Sequence, residues 1–159
     1  MPLLETLNIT GHVNWSAQIP LGEVANAPRI PTLRNACLWS CDMDFTDFRL
    51  WMRKHLEKLE AFGMVDLRLN NCSSEDFSDF LYLLKQAATH HQLRFVDVKN
   101  ITLEWEVVSF AAACPVSSWD VADGDEDEEW IMVERGDMVQ LEGAEAIIEG
   151  IDVMISCLT

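Results

Sequence analysis

Two stretches of this chain, residues 64–72 and 93–101, share one pattern of apolar and variable positions, and this repetition most constrains the fold. Each stretch reads apolar, two variable, apolar, one variable, apolar, one variable, asparagine, and then Cys or Ile. The pattern also fits two upstream segments, at Leu4, Leu7, Ile9 and Gly11 and at Leu33, Ala36, Leu38 and Ser40. The four copies start at residues 4, 33, 64 and 93. A period of this length is typical of chains that stack one strand and one return segment per repeat.

This pattern matches the leucine-rich repeat. It predicts an α/β leucine-rich-repeat solenoid, with a parallel sheet on the concave face and helices outside. We expect about four repeats in residues 1–115, an acidic loop at 116–129 and a C-terminal cap at 130–159. The alternative is an ordinary α/β domain whose buried strands recur at similar spacing.

The predicted elements follow the repeats. Strands are expected at residues 4–10, 33–39, 64–70 and 93–99, with a short helical stretch and loop at 15–27. Amphipathic spacing predicts one helix capped by Asp44 or Thr46 and ended by Gly63, and a second capped by Ser73 or Ser74 and closed by His90 and His91. A third helix is expected at 103–113, a hairpin at 130–141, and a closing helix or strand at 143–155.

The charge of the chain is strongly negative and uneven. The net charge is −16, and seven of the ten residues from 120 to 129 are acidic. Phosphate neutralisation requires Lys and Arg, so the composition argues against nucleic acid and against anionic membranes as partners. It favours a protein partner with basic character, bound less tightly as salt rises.

Five cysteines occur at residues 37, 41, 72, 114 and 157, with no Cys-x-x-Cys pair. The odd number and the missing ligand pairs favour buried thiols over zinc, and reduced thiols suit the cytoplasm or the nucleus. Cys41 and Cys72 are assigned to the same repeat position. No nucleophile elbow, phosphate loop or metal motif is present, so we expect neither catalysis nor a cofactor.

Three short motifs have simpler structural readings. The acidic positions Asp123, Asp125, Asp127 and Glu134 lack the glycine of a calcium loop, and Arg135-Gly136-Asp137 reads as a hairpin turn. Among four glycosylation sequons, Asn71 and Asn100 occupy the repeat asparagine. Their side chains are expected to bond the turn backbone and to stack as a ladder.

The concave face is the candidate binding site, because variable strand positions point away from the core. The predicted site residues are Trp39, Asp66, Arg68, Asn70, Phe95, Asp97 and Lys99. Trp, Phe and Arg are residue types that contribute strongly to binding energy, although Trp39 and Phe95 could instead cover neighbouring apolar surface. Arg68 and Asp97 are expected side by side in neighbouring repeats.

The third and fourth repeats resemble the leucine-rich-repeat region of fungal F-box-type proteins. The resemblance spans roughly residues 33–113 and rests on Leu67-Arg68-Leu69-Asn70-Asn71-Cys72, Ser74-Glu75-Asp76-Phe77, the strand at 93–101, and Trp105 with Glu106. It implies a protein-binding or ubiquitin-ligase substrate-receptor role. The F-box, which binds the ligase adaptor, is not found in this sequence.

Two hypotheses follow for function. The first is a non-catalytic protein-interaction module, the substrate-recognition part of an F-box-type receptor. The second is a structural fragment or truncated product without its own binding role, because the chain opens inside a strand with no room for the polar cap of a solenoid. In that case the uncapped N-terminal strand is where two copies could associate.

Overall fold

A computed structural model describes residues 4–11, 26, 28–104, 106–110, 131–134 and 138–158. The expectations for the segment at 15–27 (Asn26 apart), the acidic loop, the turn at 135–137 and nearly all of the calcium-like positions lie outside these residues.

The described strands form one mixed, mostly parallel sheet. Their bounds are β1 Thr6–Thr10, β2 Asn35–Trp39, β3 Asp42–Asp44, β4 Ala61–Asn70, β5 Phe95–Leu103, β6 Glu106–Val107, β7 Ile131–Glu134 and β8 Met138–Glu142. Strands β1, β2, β4 and β5 lie side by side in that order and run parallel, and β8 and then β7 continue the sheet antiparallel beyond β5. Two short strands extend the sheet, since β3 pairs with β4 and β6 pairs with β5.

Among the described residues, three α-helices connect or follow these strands. Helix α1 is Phe45–His55 and continues into a 3-10 turn at Leu56–Lys58, α2 is Ser74–His90, and α3 is Ala144–Ser156. The Asp44 carboxylate caps α1 by accepting from the Thr46 N–H at 2.8 Å. The Ser73 hydroxyl and Asp76 form a capping box at the start of α2. The two predicted amphipathic helices are confirmed, and the closing helix or strand predicted at 143–155 is a helix.

All three helices pack on one face of the sheet. Phe62 of β4 contacts Phe48 of α1 and Phe80 of α2, and the Phe48 and Phe80 rings meet edge-to-face with centroids 4.8 Å apart. The Leu141 side chain of β8 lies against Gly150 of α3, and it shares the sheet row of Phe62 and Val96. The hydrophobic core therefore lies between this face and the helices.

Each of the central strands bends at a residue with left-handed backbone. Ser40, Asp66 and Asn100 have φ of 51°, 52° and 50° and follow the mutually paired residues Trp39, Val65 and Lys99; we call them the corner column. Before the column the buried apolar side chains of β4 are those of Phe62 and Met64, and after it they are those of Leu67 and Leu69. The corner thus shifts the alternation by one residue and keeps both apolar pairs in the core.

The predicted strands are present, but the register assigned to the third repeat is wrong. Pairing aligns Leu33, Leu59 and Leu93, so that Phe62 faces Val96 and Met64 faces Val98. The third repeat therefore begins at Leu59, five residues before Met64, with 26 residues from Leu33 to Leu59 and 34 from Leu59 to Leu93. Leu38, Leu69 and Val98, which hold equivalent positions in the predicted repeats, are all buried on neighbouring strands. They do not lie in one row, however, because Leu69 pairs with Leu103 and Val98 pairs with Met64.

Three local predictions are also corrected. Of the segment predicted as a third helix, the described residues 103, 104 and 106–110 are not helical: Leu103 ends β5 and Glu106–Val107 is a strand. Gly63 does not end a helix but is a buried residue inside β4, because α1 stops eight residues earlier at His55. Cys41 and Cys72 are both buried, yet they hold different positions, since Cys41 precedes β3 and Cys72 follows β4.

His55 is the buried polar residue that ties the 28–31 segment to α1; its exposed fraction is 2%. Its Nδ1 donates to the Trp51 carbonyl at 2.9 Å, and its Nε2 accepts from the Ile30 N–H at 3.2 Å. This arrangement requires a neutral imidazole, because protonated Nε2 cannot accept. Burial lowers the pKa of His55, the Trp51 hydrogen bond opposes this, and the charges of Arg29 and Lys54 add to the lowering.

We expect His55 to make folding stability pH-dependent. The pKa of His55 is lower folded than unfolded, so its contribution is complete above the unfolded value of about 6.5 and is lost as pH falls toward the folded value. The slope is at most about 1.4 kcal/mol per pH unit. Urea unfolding between neutral and mildly acidic pH should show the wild-type advantage over His55→Gln shrinking, while exposed-site His90→Gln follows wild type. A pH-independent difference would contradict this assignment.

Candidate protein-binding surface

The sheet face opposite the helices carries the candidate surface, and none of the three described helices packs on it. In β2, β4 and β5 its side chains form three rows across the strands. We call this surface the open face; its residues are Asn35, Ala61 and Phe95, then Cys37, Gly63 and Asp97, then Trp39, Val65 and Lys99.

Trp39 is the large exposed aromatic of the open face, with 53% of its surface accessible. Its indole Nε1 donates to Asp66 Oδ2 at 3.2 Å, and Asn100 Nδ2 donates to Asp66 Oδ1 at 2.6 Å. Asp66 therefore links three adjacent strands through the side chains of the corner column and Trp39. The indole is held in one orientation while much of its surface faces solvent.

The asparagines use different partners from those expected. Asn100 Nδ2 donates to the Asp66 carboxylate, and Asn71 Nδ2 donates to Asp44 Oδ2 at 2.6 Å. These hydrogen bonds go to carboxylates on the preceding strand, whereas bonds to the turn backbone were predicted. The Asn71 bond lowers the pKa of Asp44, the residue that caps α1. The two amides thus connect neighbouring strands through side chains.

Arg68 and Asn70 lie beyond the corner column, away from Trp39. Asn70 donates to Asp42 Oδ1, and Arg68 Nη1 is 4.0 Å from Asp42 Oδ2. The predicted neighbour pair of Arg68 and Asp97 is therefore wrong, since Arg68 pairs in register with Asp42 and Thr102. Of the predicted site residues, the structure places Trp39, Phe95, Asp97 and Lys99 on the open face and Asp66 at its border.

Asp97 occupies the middle row of the open face, between Gly63 on β4 and Gln140 on β8. Its Oδ1 is inaccessible to solvent and has no hydrogen-bond partner. Burial raises the pKa of Asp97, and the nearby Lys99 charge opposes that rise. An unpaired buried carboxylate oxygen is costly, so this acceptor is a feature that folding alone does not satisfy.

Gly63 lies between Asp97 and Cys37 in that row, and the Cys37 side chain packs against it. A Cβ at residue 63 would lie 3.1 Å from Cys37 Sγ, closer than ordinary van der Waals contact. The sequence pattern did not predict Ala61, Gly63 and Val65 as residues of this face, because it set the third repeat five residues too late. The correct frame starting at Leu59 would have found them.

A depression lies at the start of α2, lined by Cys72, Ser73, Ser74, Leu103, Glu104 and Glu106. Burial, with the charges of Asp76 and Glu104, raises the pKa of Cys72 to about 12. The glutamates disfavour an anion, and a neutral thiol is a weak ligand and nucleophile. Among the described residues, no three His, Cys, Asp or Glu side chains are grouped as metal ligands.

Comparison of the chain with family models, with curated proteins and with solved structures finds no match. In the described part of the chain, no helix combines the length and apolar character needed to cross a lipid bilayer.

Substitution at Asp66 should separate backbone from side-chain effects. Asp66→Ala removes both acceptors and leaves a Cβ at φ 52°, whereas Asp66→Gly removes the acceptors but relieves the backbone. We expect Asp66→Gly to be more stable than Asp66→Ala by about 1 kcal/mol in urea unfolding, and both to be less stable than wild type. If the alanine variant were as stable as the glycine variant, the left-handed backbone at residue 66 would not be what limits the residue type there.

The cysteines should react slowly in the folded protein. Burial and the Asp97 charge raise the pKa of Cys37, and burial raises the pKa of Cys41. Iodoacetamide labelling at neutral pH, read by peptide mass spectrometry, should be slower at Cys37, Cys41 and Cys72 than in urea-unfolded protein, with Cys72 slowest. Faster labelling of Cys37 in the folded state would contradict this and make a nucleophilic role worth testing.

Proposed function

We propose that this protein is a non-catalytic protein-interaction module that binds its partner on the open face. The observation that carries the proposal is the state of Trp39, which is half exposed yet hydrogen-bonded in place by Asp66. A fixed aromatic side chain loses little conformational entropy on binding, and tryptophan is among the residues that contribute most to interface energy. Phe95, half-buried on β5, extends the apolar part of the surface.

We also propose that the architecture is a leucine-rich-repeat solenoid. Support comes from four parallel strands stacked in chain order, from helices in the return segments after β3 and β4, and from aligned apolar positions at Leu33, Leu59 and Leu93. Each unit buries its apolar residues against the next, as expected for stacked repeats. The concave sheet of such a solenoid is its usual binding surface.

The fungal F-box resemblance extends this proposal to substrate recognition for a ubiquitin ligase in the cytoplasm or the nucleus. The free thiols at Cys37, Cys41 and Cys72 fit a reducing compartment. Translation of the genomic DNA upstream of Met1 tests the ligase connection. We expect an F-box coding segment there, and further repeats without one would support binding but not ligase recruitment.

A non-catalytic role is supported by the chemistry of the thiols. The pKa of Cys37 and of Cys72 is raised, which is opposite to the shift that activates a cysteine nucleophile. The polar side chains at the corner are used in pairing with one another, as Asp66 is with Asn100. Binding through preformed surface is the activity that this arrangement best supports.

We expect Trp39→Ala and Phe95→Ala to weaken partner binding far more than they lower stability. Loss of a buried aromatic anchor costs about 2 kcal/mol or more in binding, roughly a thirtyfold change in affinity. The melting temperature should fall by less than about 4 °C. The measurement is quantitative affinity capture from an extract of the source organism, at low and high salt, together with thermal unfolding.

Tyr82→Ala is the matched control, because Tyr82 is 52% exposed but lies on α2, on the helical side of the sheet. Captured proteins should be retained by this variant and lost from the two open-face variants. If all variants recover the same proteins, the open face is not the binding surface. If no protein is captured specifically by wild type, the structural-fragment hypothesis gains support.

A further inference from the structure

Strand β1 forms the edge of the sheet farthest from β7, and its sequence lacks the residues that usually protect such an edge. In the part of the chain that the structure describes, β2 is its only strand partner. The five residues of β1, Thr-Leu-Asn-Ile-Thr, include no charged residue and no proline. Natural proteins use such residues to prevent further strands from pairing with an edge. The sequence of β1 is therefore compatible with the addition of a strand.

The backbone of β1 bonds β2 through alternate residues. The Glu5 carbonyl accepts from the Asn35 N–H at 3.0 Å, and the Gly11 N–H donates to the Trp39 carbonyl at 2.9 Å. In a parallel sheet, alternate residues direct their N–H and C=O groups to opposite neighbours, so the odd-numbered residues of β1 face β2. The even-numbered residues direct theirs to the other side, and these are Thr6, Asn8 and Thr10.

A row of leucines crosses the sheet just before these strands, and its first member is half exposed. Leu33, Leu59 and Leu93 are fully buried, whereas Leu4, at the same position ahead of β1, is 48% exposed. The two apolar residues within β1 are only partly buried. A strand added beside β1 would cover these three apolar side chains, as each inner strand covers those of its neighbour.

The next row of residues alternates in charge from strand to strand. Glu5, Arg34, Glu60 and Arg94 directly precede the first paired residues of β1, β2, β4 and β5. Backbone hydrogen bonds connect each of them to the next, and the Arg34 guanidinium donates to the Glu60 carboxylate. Opposite charges on neighbouring strands are favourable and like charges are unfavourable. The series therefore predicts a basic residue on a strand that lies beside Glu5.

We propose that β1 binds an extended segment of a partner protein, which joins the sheet as a parallel strand and places a lysine or arginine beside Glu5. The expected segment reads apolar, basic, any, apolar, any, apolar, as residues 33–38 and 93–98 of this chain do. Backbone hydrogen bonds would supply affinity, and the leucine and charge rows would supply specificity. This surface is separate from the open face and goes beyond the function proposed above.

A second copy of this chain fits the edge less well than a basic segment does. Two copies related by a twofold axis would pair their β1 strands antiparallel. Pairing centred on Asn8 would align Leu7 with Ile9, but it would put Glu5 opposite Gly11 instead of a base. The net charge of −16 on each copy also opposes self-association and favours the approach of a cationic segment.

The test uses the full chain, with a display library of random peptides as the source of the probe. Asn8→Pro removes an N–H that points away from β2, a position at which an edge strand tolerates proline. Glu5→Lys reverses the charge in the predicted row, and Glu149→Lys makes the same change at an exposed position of α3. Trp39→Ala removes the aromatic side chain of the open face. Urea unfolding is measured for every variant.

We expect the enriched peptides to contain the apolar and basic pattern. The best of them should bind Asn8→Pro at least about tenfold more weakly than wild type, because backbone pairing supplies much of the affinity. Trp39→Ala should bind it like wild type. Glu5→Lys should prefer the same peptide with glutamate in place of the base by about threefold, whereas Glu149→Lys should keep the wild-type preference. The charge reversal tests the row even if Asn8→Pro does not fold.

Other outcomes distinguish this proposal from open-face binding. Peptides lost with Trp39→Ala but bound normally by folded Asn8→Pro would overturn strand addition and support the open face. Strand addition would also be overturned if no peptide were enriched, or if Glu5→Lys changed the preference no more than Glu149→Lys. Self-association in analytical ultracentrifugation that Asn8→Pro abolishes would assign the edge to a second copy. An upstream coding segment with the same pattern would place the added strand in the same polypeptide, and either finding would overturn a separate partner.

Discussion

The left-handed backbone of the corner column is the constraint on which the rest of the sheet depends. A straight strand alternates strictly, so Phe62 and Met64 would face the side opposite to Leu67 and Leu69. The φ of 52° at Asp66 shifts the alternation by one residue, and all four side chains then reach the same core. The same shift occurs in β5 at Asn100, so neighbouring strands bend together and remain paired on both sides of the corner.

The left-handed backbone at the corner column restricts which residue types can occupy it. A left-handed conformation is tolerated best by glycine, asparagine and aspartate, and Asp66 and Asn100 are such residues. Their carboxylate and amide are also complementary, and they bond each other at 2.6 Å. Asp66 and Asn100 therefore both tolerate the left-handed backbone and connect their strands through a side-chain hydrogen bond. The Trp39 indole adds a second hydrogen bond to Asp66.

Much of the fold could be predicted from apolar spacing, but the register of the third repeat could not. In β4 and the residues before it, Leu59, Phe62, Met64, Leu67 and Leu69 are spaced by three, two, three and two. A search pattern with spacing three and then two fits this series both at Leu59 and at Met64. Only strand pairing shows that the first frame is the one aligned with Leu33 and Leu93.

The failed helix prediction at 103–113 has a related physical cause. Leu103 continues the buried series of β5 two residues after Ile101, and it pairs with Leu69 of β4. Tertiary pairing across the corner thus decides the conformation there, and local helical spacing does not. The predicted α1 and α2 are confirmed because their stripes and capping residues agree with one another, as Asp44 and Ser73 show.

The candidate site was predictable only where the repeat frame was correct. Trp39, Phe95, Asp97 and Lys99 come from the second and fourth repeats, whose frames agree with the pairing, and they lie on the open face. Arg68 and Asn70 come from the misframed third repeat and lie beyond the corner. The unpaired state of Asp97 could not be read from sequence, because it depends on which residues stand beside it on other strands.

Asp66 and Asp97 show how the residues on neighbouring strands decide whether a carboxylate in this sheet is paired. Both lie on central strands close to Trp39: Asp66 directly follows Val65, which pairs with Trp39, and Asp97 is in the next row. Asp66 has a donor on each side, whereas Asp97 stands next to a glycine and its Oδ1 is unbonded. The Trp39 and Asn100 donors thus bond Asp66 at the corner column, and Asp97 Oδ1 in the middle row accepts no hydrogen bond. An unpaired buried acceptor is costly, so Asp97 does not stabilise the sheet as Asp66 does.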